Sequence, residues 1–486
     1  MARKSKTPHS VEGIDITETV ASIRRQLADD DSISPALRAS IELLILVVTL
    51  LANRLGINSR NSSTPPSADP DREKKPRWRS DKKPGGQPGR VGKNLQPVDD
   101  PDEIEFLAID RRSLPWGDYQ EAGYEARQVV DIDISRIVTE YRAQVLVNAQ
   151  GQRFVAEFPA AVTRPVQYGP GIKVHAVYLS QYQLLPYQRI AEYFQDQLGI
   201  ALSAGSIVNF NLEAAKRVVD SGAADIIRKQ LQQSAVLHAD ETGINVNGVR
   251  HWLHCASTAL WTQFSFHQKR GAEAIDAAGV LPGFRGVLCH DHWKPYYTYE
   301  QCTHALCNAH HLRELERAWE QDGQQWASQM QTLLKAINQA VEQAGGALSN
   351  RQAGVYRGKY RKILELGDTE SPPPDEQQRK PGQRGRIKRS KSRSLLERLR
   401  KYEADVLRFM VDPGVPFTNN QGENDIRMTK VQQKISGCFR STEGAETFCL
   451  IRGYLSTSRK HQYTASDALA ALFQDGLPGF FGKGGE

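Results

Sequence analysis

A chain of 486 residues with a formal net charge of +7 is long enough for several domains, each with its own core. Charged residues make up 24% and mean hydropathy is −0.53, and the longest apolar run, LLILVVTLLA at 43–52, is half of the roughly 20 residues a membrane span needs, so no membrane contact is expected. MARKSKTPHSVEG leads into no apolar secretory region, and the six cysteines, all at or beyond Cys255, lack the spacing of a disulfide framework; both predict a reducing, cytoplasmic setting.

Within residues 1–57, Ser34 is placed to cap a helix that has Pro35 at its first position and Gly56 as its stop. Leu37, Ile41, Leu44, Val48, Leu51 and Leu55 follow at intervals of 4, 3, 4, 3 and 4, a seam just short of three heptads. The spacing predicts a helical, coiled-coil self-association region; the plainer alternative is a helix packed within its own chain. Residues 58–98 read as a flexible linker, NSRNSSTPPSADP running into a basic stretch. Positions 71–94 carry nine Lys/Arg, among them Lys82 and Lys83, against three acids. Positions 379–393 carry eight, including Arg386, Lys388 and Arg389, and no acid. These two segments sum to +14, so the remainder is −7. Concentrated, flexible positive charge predicts polyanion contact through counterion release, with a solubilising linker as the alternative.

Residues 99–165 alternate in the manner of strands, as in RQVVDIDI and EYRAQVLVN, and predict a small β module packed through Leu107, Val129, Ile132, Val145, Val147 and Phe154. Residues 166–232 read as helices around LGIALS, with Ser203 as an N-cap: a DNA-binding helix-turn-helix or ordinary helical packing. From 233 the pattern becomes α/β, with strands at 234–240, 250–258, 262–267, 286–290 and 303–307 and helices at 271–278, 308–320, 420–436 and 444–460; 326–411 is mostly helical. The fold class is a multidomain α+β protein.

Asp240 and Asp291 close two apolar strand runs, where an unpaired carboxylate is costly and where α/β sheets gather ligands. Divalent cations with oxygen ligands, Mg²⁺ or Mn²⁺, relieve the repulsion, and a pair of them clamps both oxygens of a phosphodiester exchange. Glu423 is the candidate third acid. It sits in the first turns of a helix capped by Asn419 or Asn420, and Arg427, Lys430 and Lys434 follow on its face. A solvated helix with an i,i+4 Glu–Arg pair is the bland alternative. CHDHW and CTHALCNAHHLRE bring together Cys289, His290, His292, His304, Cys307, His310 and His311, the ligand types of tetrahedral zinc, so a zinc-dependent hydrolase is a rival reading. Cys307 and His310, spaced Cys-x-x-His at a strand-to-helix junction, alternatively pack or orient the site.

HADETG, RHWLHCAST, KRGAEAIDAAGVLPGFRGVLCHDHWKPY, HALCNAHHLREL and TNNQGENDIRMTKVQQKISGCFRSTEGAETFCLIRGYLSTSRK resemble, in order, the catalytic half of insertion sequence 66 family transposases; NSSTPPSAD, GGQPG and QYGPGIKVHAVYL extend the resemblance over most of the chain. The resemblance implies a DDE transposase with a ribonuclease-H-like core, its acids falling on Asp240, Asp291 and Glu423. It implies a core in two parts, 233–312 and 413–440, split by a helical insertion with a basic loop at 313–412 and followed by C-terminal helices at 441–486. The implied chemistry is hydrolysis at transposon ends, freeing a 3′-OH that attacks target DNA, dependent on Mg²⁺ or Mn²⁺, with two ions expected. The implied partners are double-stranded DNA, further copies of the chain and accessory proteins encoded by the same element. A catalytically inactive, transposase-derived DNA-binding protein is the alternative of another class. The family commonly carries a four-cysteine zinc module before the core; no cysteine precedes Cys255, so no zinc is expected in 99–165.

Overall fold

The computed structural model describes residues 10–11, 14–30, 32–55, 58, 61–62, 95–374, 387 and 389–482. Gly56, Lys82, Lys83, Arg386 and Lys388 lie outside the described residues, as do all of the first basic segment and most of the second. Among the described residues no helix is long and apolar enough to cross a membrane. All six cysteines are free.

The capping reading at Ser34 holds: its Oγ accepts the Leu37 N–H at 3.3 Å, and the helix runs Pro35–Leu55. It packs on the preceding helix Ile16–Asp29, and Ile45 and Leu27 are buried. Leu37, Leu44, Val48 and Leu51 of the heptad seam stay exposed.

The packed β module read into 99–165 is corrected. Its strands are a single hairpin, Val145–Val147 against Arg153–Val155, and Leu107, Val129, Ile132, Val145, Val147 and Phe154 are all exposed. The physical reason is size: two three-residue strands have no second layer to cover their apolar face.

The α/β region is built on one sheet of five strands: β1 (Val236–Val246), β2 (Val249–Ser257), β3 (Thr262–His267), β4 (Val287–His290) and β5 (Thr303–Leu306). The order is β3-β2-β1-β4-β5; the first three pair antiparallel, and β4 and β5 run parallel to β1. A two-residue turn at Asn247-Gly248, both with positive φ, closes the β1–β2 hairpin. That hairpin corrects the expected end of the first strand at 240. Its pairing carries β1 on to Val246, so Asp240 lies inside the strand.

Helices cover both faces. On one side Pro170–Val177, Tyr187–Leu198, Ala204–Asp220 and Ala223–Gln233 share a core with Thr442–Lys460 and Ala465–Phe473. Ser203 caps Ala204–Asp220 as expected, its Oγ accepting the Ser206 N–H at 3.0 Å. On the other side α1 (Asn308–Asp322) packs with Gln325–Gln343, Asn350–Glu370 and Lys391–Lys401 around the fully buried Trp326 and Tyr360. These helices lie in the chain between α1 and α2 (Asn420–Ser436), which returns to the sheet and packs along β1.

Candidate active site

The parallel pairing of β1 with β4 places the two aspartates. Val236, Leu237 and His238 pair with Val287, Leu288 and Cys289, an offset of 51 positions. Two residues beyond the last pair, the same offset aligns Asp240 with Asp291, where the two strands part and backbone pairing no longer fills the space between them. β4 and β5 pair with an offset of 16, which brings Cys307, the N-cap of α1, into the same rank next to Asp291. The first turn of α2 supplies Glu423.

Asn419 fixes that helix over the strand. Its Nδ2 donates to Ala239 O at 2.8 Å, its Oδ1 meets His238 Nδ1 at 2.8 Å, and its backbone N–H points at Cys307 Sγ at 3.1 Å. At the far end Phe439 N–H donates to Asn245 O at 3.0 Å, so α2 is tied to β1 at both ends. Gly422 permits the close approach. A Cβ there would stand 3.4 Å from Asp240 Cβ and 3.3 Å from Asn419 Nδ2.

The electrostatics follow from this crowding. Burial pushes the Asp240 carboxyl up to about 8, and the charges of Glu241, Asp291 and Glu423 add to the effect against one opposing bond from the Glu241 N–H. Asp291 is raised by burial, opposed by the Trp293 N–H at 2.9 Å and the more distant Arg270 and Arg398. Among the described residues no Lys or Arg forms an ion pair with Asp240, Asp291 or Glu423. Glu423 Oε1 instead has His310 Nδ1 at 3.8 Å and Cys307 Sγ at 3.9 Å. Burial and the charges of Arg313 and Arg398 pull His310 down to about 4, so its imidazole is neutral.

The histidine and cysteine cluster read from the sequence divides. His290 Nε2 meets His304 Nδ1 at 3.1 Å, His292 stacks edge-on against Tyr402, His311 meets Asn308 Oδ1 at 3.1 Å, and Cys289 sits in the helical core. Cys307 and His310 alone of the seven join the carboxylate site.

The basic stripe divides too. Arg427, Lys430 and Lys434 are all exposed, and Arg427 and Lys434 have no polar partner among the described residues. Lys430 lies back on the sheet, its Nζ donating to Gly243 O at 3.0 Å beside Gln433 Nε2 at 3.1 Å. The Arg250 guanidinium lies in the place that a Cβ on Gly243 would take. Arg389 is paired with Glu397.

Sequence reasoning passed over Glu241. Alternation along β1 turns it to the face opposite Asp240. There its carboxylate accepts Tyr296 Oη at 2.6 Å and Arg270 Nη2 at 2.5 Å, and Arg270 lies between the rings of Trp252 and Trp293. The available signal was an acidic pair, rather than one acid, inside an apolar strand. Asn419 was read only as a cap; its contacts to the strand depend on the assembled sheet.

A mixed sheet with acids aligned where its central parallel strands diverge makes a polar, oxygen-rich candidate site rather than an apolar ligand pocket. The chain belongs to the transposase IS66 family, whose pattern matches residues 165–447 and so spans the sheet and all three acids. Residues 6–96 match a family of unknown function, DUF6444. No curated protein matches the chain.

Proposed function

We propose that this transposase hydrolyses phosphodiester bonds at transposon ends and joins the resulting 3′-OH to target DNA, using Asp240, Asp291 and Glu423. The observation that carries the reading is the register: one offset aligns Asp240 with Asp291, and α2 brings Glu423 over the same opening. The strand order β3-β2-β1-β4-β5, antiparallel and then parallel, supports a ribonuclease-H-like core interrupted by the helices between α1 and α2.

The residues fit divalent cations. Among the described residues no Lys or Arg forms an ion pair with Asp240, Asp291 or Glu423, and burial, with the charges of Glu241, Asp291 and Glu423 adding to it, drives Asp240 toward its neutral form. Asp240, Asp291 and Glu423 would hold Mg²⁺ or Mn²⁺, as a pair of ions in the expected arrangement. When bound, such cations neutralise charge on the reacting phosphate and lower the barrier to displacement. The chain's own groups do the positioning. Asn419 holds the head of α2 against β1, Glu241 and Arg270 brace the strand from behind, and Arg427 and Lys434 carry free positive charge along the exposed side of α2. These two face the phosphate backbone of double-stranded DNA, with the basic segments 71–94 and 379–393 adding contact that is independent of sequence. The exposed seam of Pro35–Leu55 supports self-association through that helix. Accessory proteins of the same element belong to this reading by family resemblance.

The test is strand cleavage of a donor-end duplex by the full chain with Mg²⁺ or Mn²⁺. Asp240→Ala, Asp291→Ala and Glu423→Ala should each abolish product while leaving DNA affinity within about threefold. Full cleavage by Glu423→Ala would remove that residue from the site. DNA binding without cleavage by the unaltered chain would favour an inactive, DNA-binding descendant.

A further inference from the structure

We infer that Cys307, His310 and Glu423 form a second metal site, selective for soft or borderline cations of the Zn²⁺ type, and that filling it withdraws Glu423 from the set it shares with Asp240 and Asp291. The consequence for catalysis rests on the function proposed above; the site itself does not.

The geometry supplies the argument. Cys307 Sγ, a His310 ring nitrogen and a Glu423 carboxylate oxygen all lie within 4.8 Å of one another, and they are the one group of three or more such ligands among the described residues. Individual separations from Glu423 Oε1 are 3.8 Å to His310 Nδ1 and 3.9 Å to Cys307 Sγ. Tetrahedral zinc with its usual bond lengths has ligand-to-ligand edges of about 3.3–3.6 Å, so a contraction of a few tenths of an ångström brings these pairs to that spacing. Among the described residues His310 Nδ1 is buried and has no hydrogen-bond partner, which leaves this ring nitrogen available to a metal ion. The backbone N–H of Asn419 already points at Cys307 Sγ at 3.1 Å and would support a metal-bound sulfur, whereas burial holds the unligated thiol up at about 11. About a third of each of the His310 and Glu423 side chains stays exposed, which provides an entry path and an open fourth position.

The three-ligand set differs in chemistry from its neighbour. Asp240 and Asp291 offer only oxygen, which suits Mg²⁺ or Mn²⁺; a sulfur and an imidazole select zinc-like ions over magnesium. Glu423 belongs to both sets and cannot serve both with the same oxygens. Zinc binding displaces the Cys307 proton to solvent and forms the Zn–S bond, with no change of oxidation state.

The experiment uses the full chain and Co²⁺ as a spectroscopic substitute for Zn²⁺. A thiolate-to-cobalt charge-transfer band should appear at one equivalent and be displaced by Zn²⁺. It should vanish in Cys307→Ser and weaken in His310→Ala, both checked for unchanged far-ultraviolet circular dichroism. If Cys307→Ser misfolds, His310→Ala alone decides through its band intensity and its cobalt affinity, expected to fall at least tenfold. No band, or the same band in both variants, overturns the site. In a second arm, Zn²⁺ is titrated into Mg²⁺-supported end cleavage, each variant referred to its own zinc-free rate. The zinc concentration for half-inhibition should rise at least tenfold in Cys307→Ser. A cobalt band with no zinc inhibition overturns the competition for Glu423. Absence of cleavage in the unaltered chain at every Mg²⁺ and Mn²⁺ concentration defeats the proposed function while the cobalt band still judges the site.

Discussion

Asp240 shows how one carboxylate reports on the whole site. Its pKa of about 8 lies far above the ordinary carboxylate value because burial and three acidic neighbours penalise its charge. In the metal-free protein the folded state therefore holds a proton between about pH 4 and pH 8 that the unfolded state has released. More protons on the folded form mean that this group's contribution to stability falls as pH rises through that window, by less than about 1.4 kcal/mol per pH unit because the side chain keeps some solvent contact. Asp291 and Glu241 are raised as well, so the expected readout is a difference. In chelator, Asp240→Asn should lose less stability than the unaltered chain between pH 5 and 8, as read from denaturation midpoints. Millimolar Mg²⁺ should flatten the unaltered chain's pH profile and leave that of Asp240→Asn unmoved. Parallel profiles for the two proteins in chelator would show that Asp240 keeps an ordinary pKa.

At the scale of the element, α2 joins three tasks on 17 residues. Its head holds Glu423, its inner face packs Ile426 and Thr429 against the sheet, and its outer side presents Arg427 and Lys434. Helical spacing put Arg427, Lys430 and Lys434 on one side of the helix, yet their surroundings differ. Lys430 bonds to Gly243 O, whereas the other two have no polar partner among the described residues. Arg427→Ala and Lys434→Ala should each lower the slope of log affinity against log salt for end DNA by about one unit, about equally for all sequences. Lys430→Ala should leave the slope unchanged. It should cost no more than about 1 kcal/mol of stability, because Gln433 still donates to the same carbonyl. Equal slopes for all four proteins would mean that α2 does not lie along DNA.

For the whole molecule, the chain joins two differently built parts. The α/β region buries its sheet on both faces. The helix Pro35–Leu55 buries Ile45 against its neighbour and leaves Leu37, Leu44, Val48 and Leu51 in solvent. Four exposed aliphatic residues at heptad spacing gain most from a second helix of the same kind. Leu44→Glu with Leu51→Glu should lower the mass measured by light scattering toward 54.3 kDa, the mass of one chain. An unchanged mass would leave this helix as a packing element within its own chain.

The elements that the sequence determined were those carried by local rules. Ser34 and Ser203 cap the helices expected of them, because a cap is decided within four residues. Helix 420–436 and the strand at 262–267 match to the residue, because hydrophobic spacing and turn residues bound them locally. The candidate acids were legible as charges inside or at the head of such segments. Pairing was not legible. β1 continues past Asp240 only because β2 folds back on it, and Asp240 lines up with Asp291 only through the β1–β4 register, a contact 51 positions apart. Alternation in 99–165 looked the same as that of a packed sheet, but alternation describes a face and not what covers it, and there nothing among the described residues does. The meeting of Cys307, His310 and Glu423 likewise required β5, α1 and α2 to be assembled, since 112 positions separate Cys307 from the Asn419 N–H that faces its sulfur. Local chemistry chose the side chains; only the packed sheet decided which of them share a site.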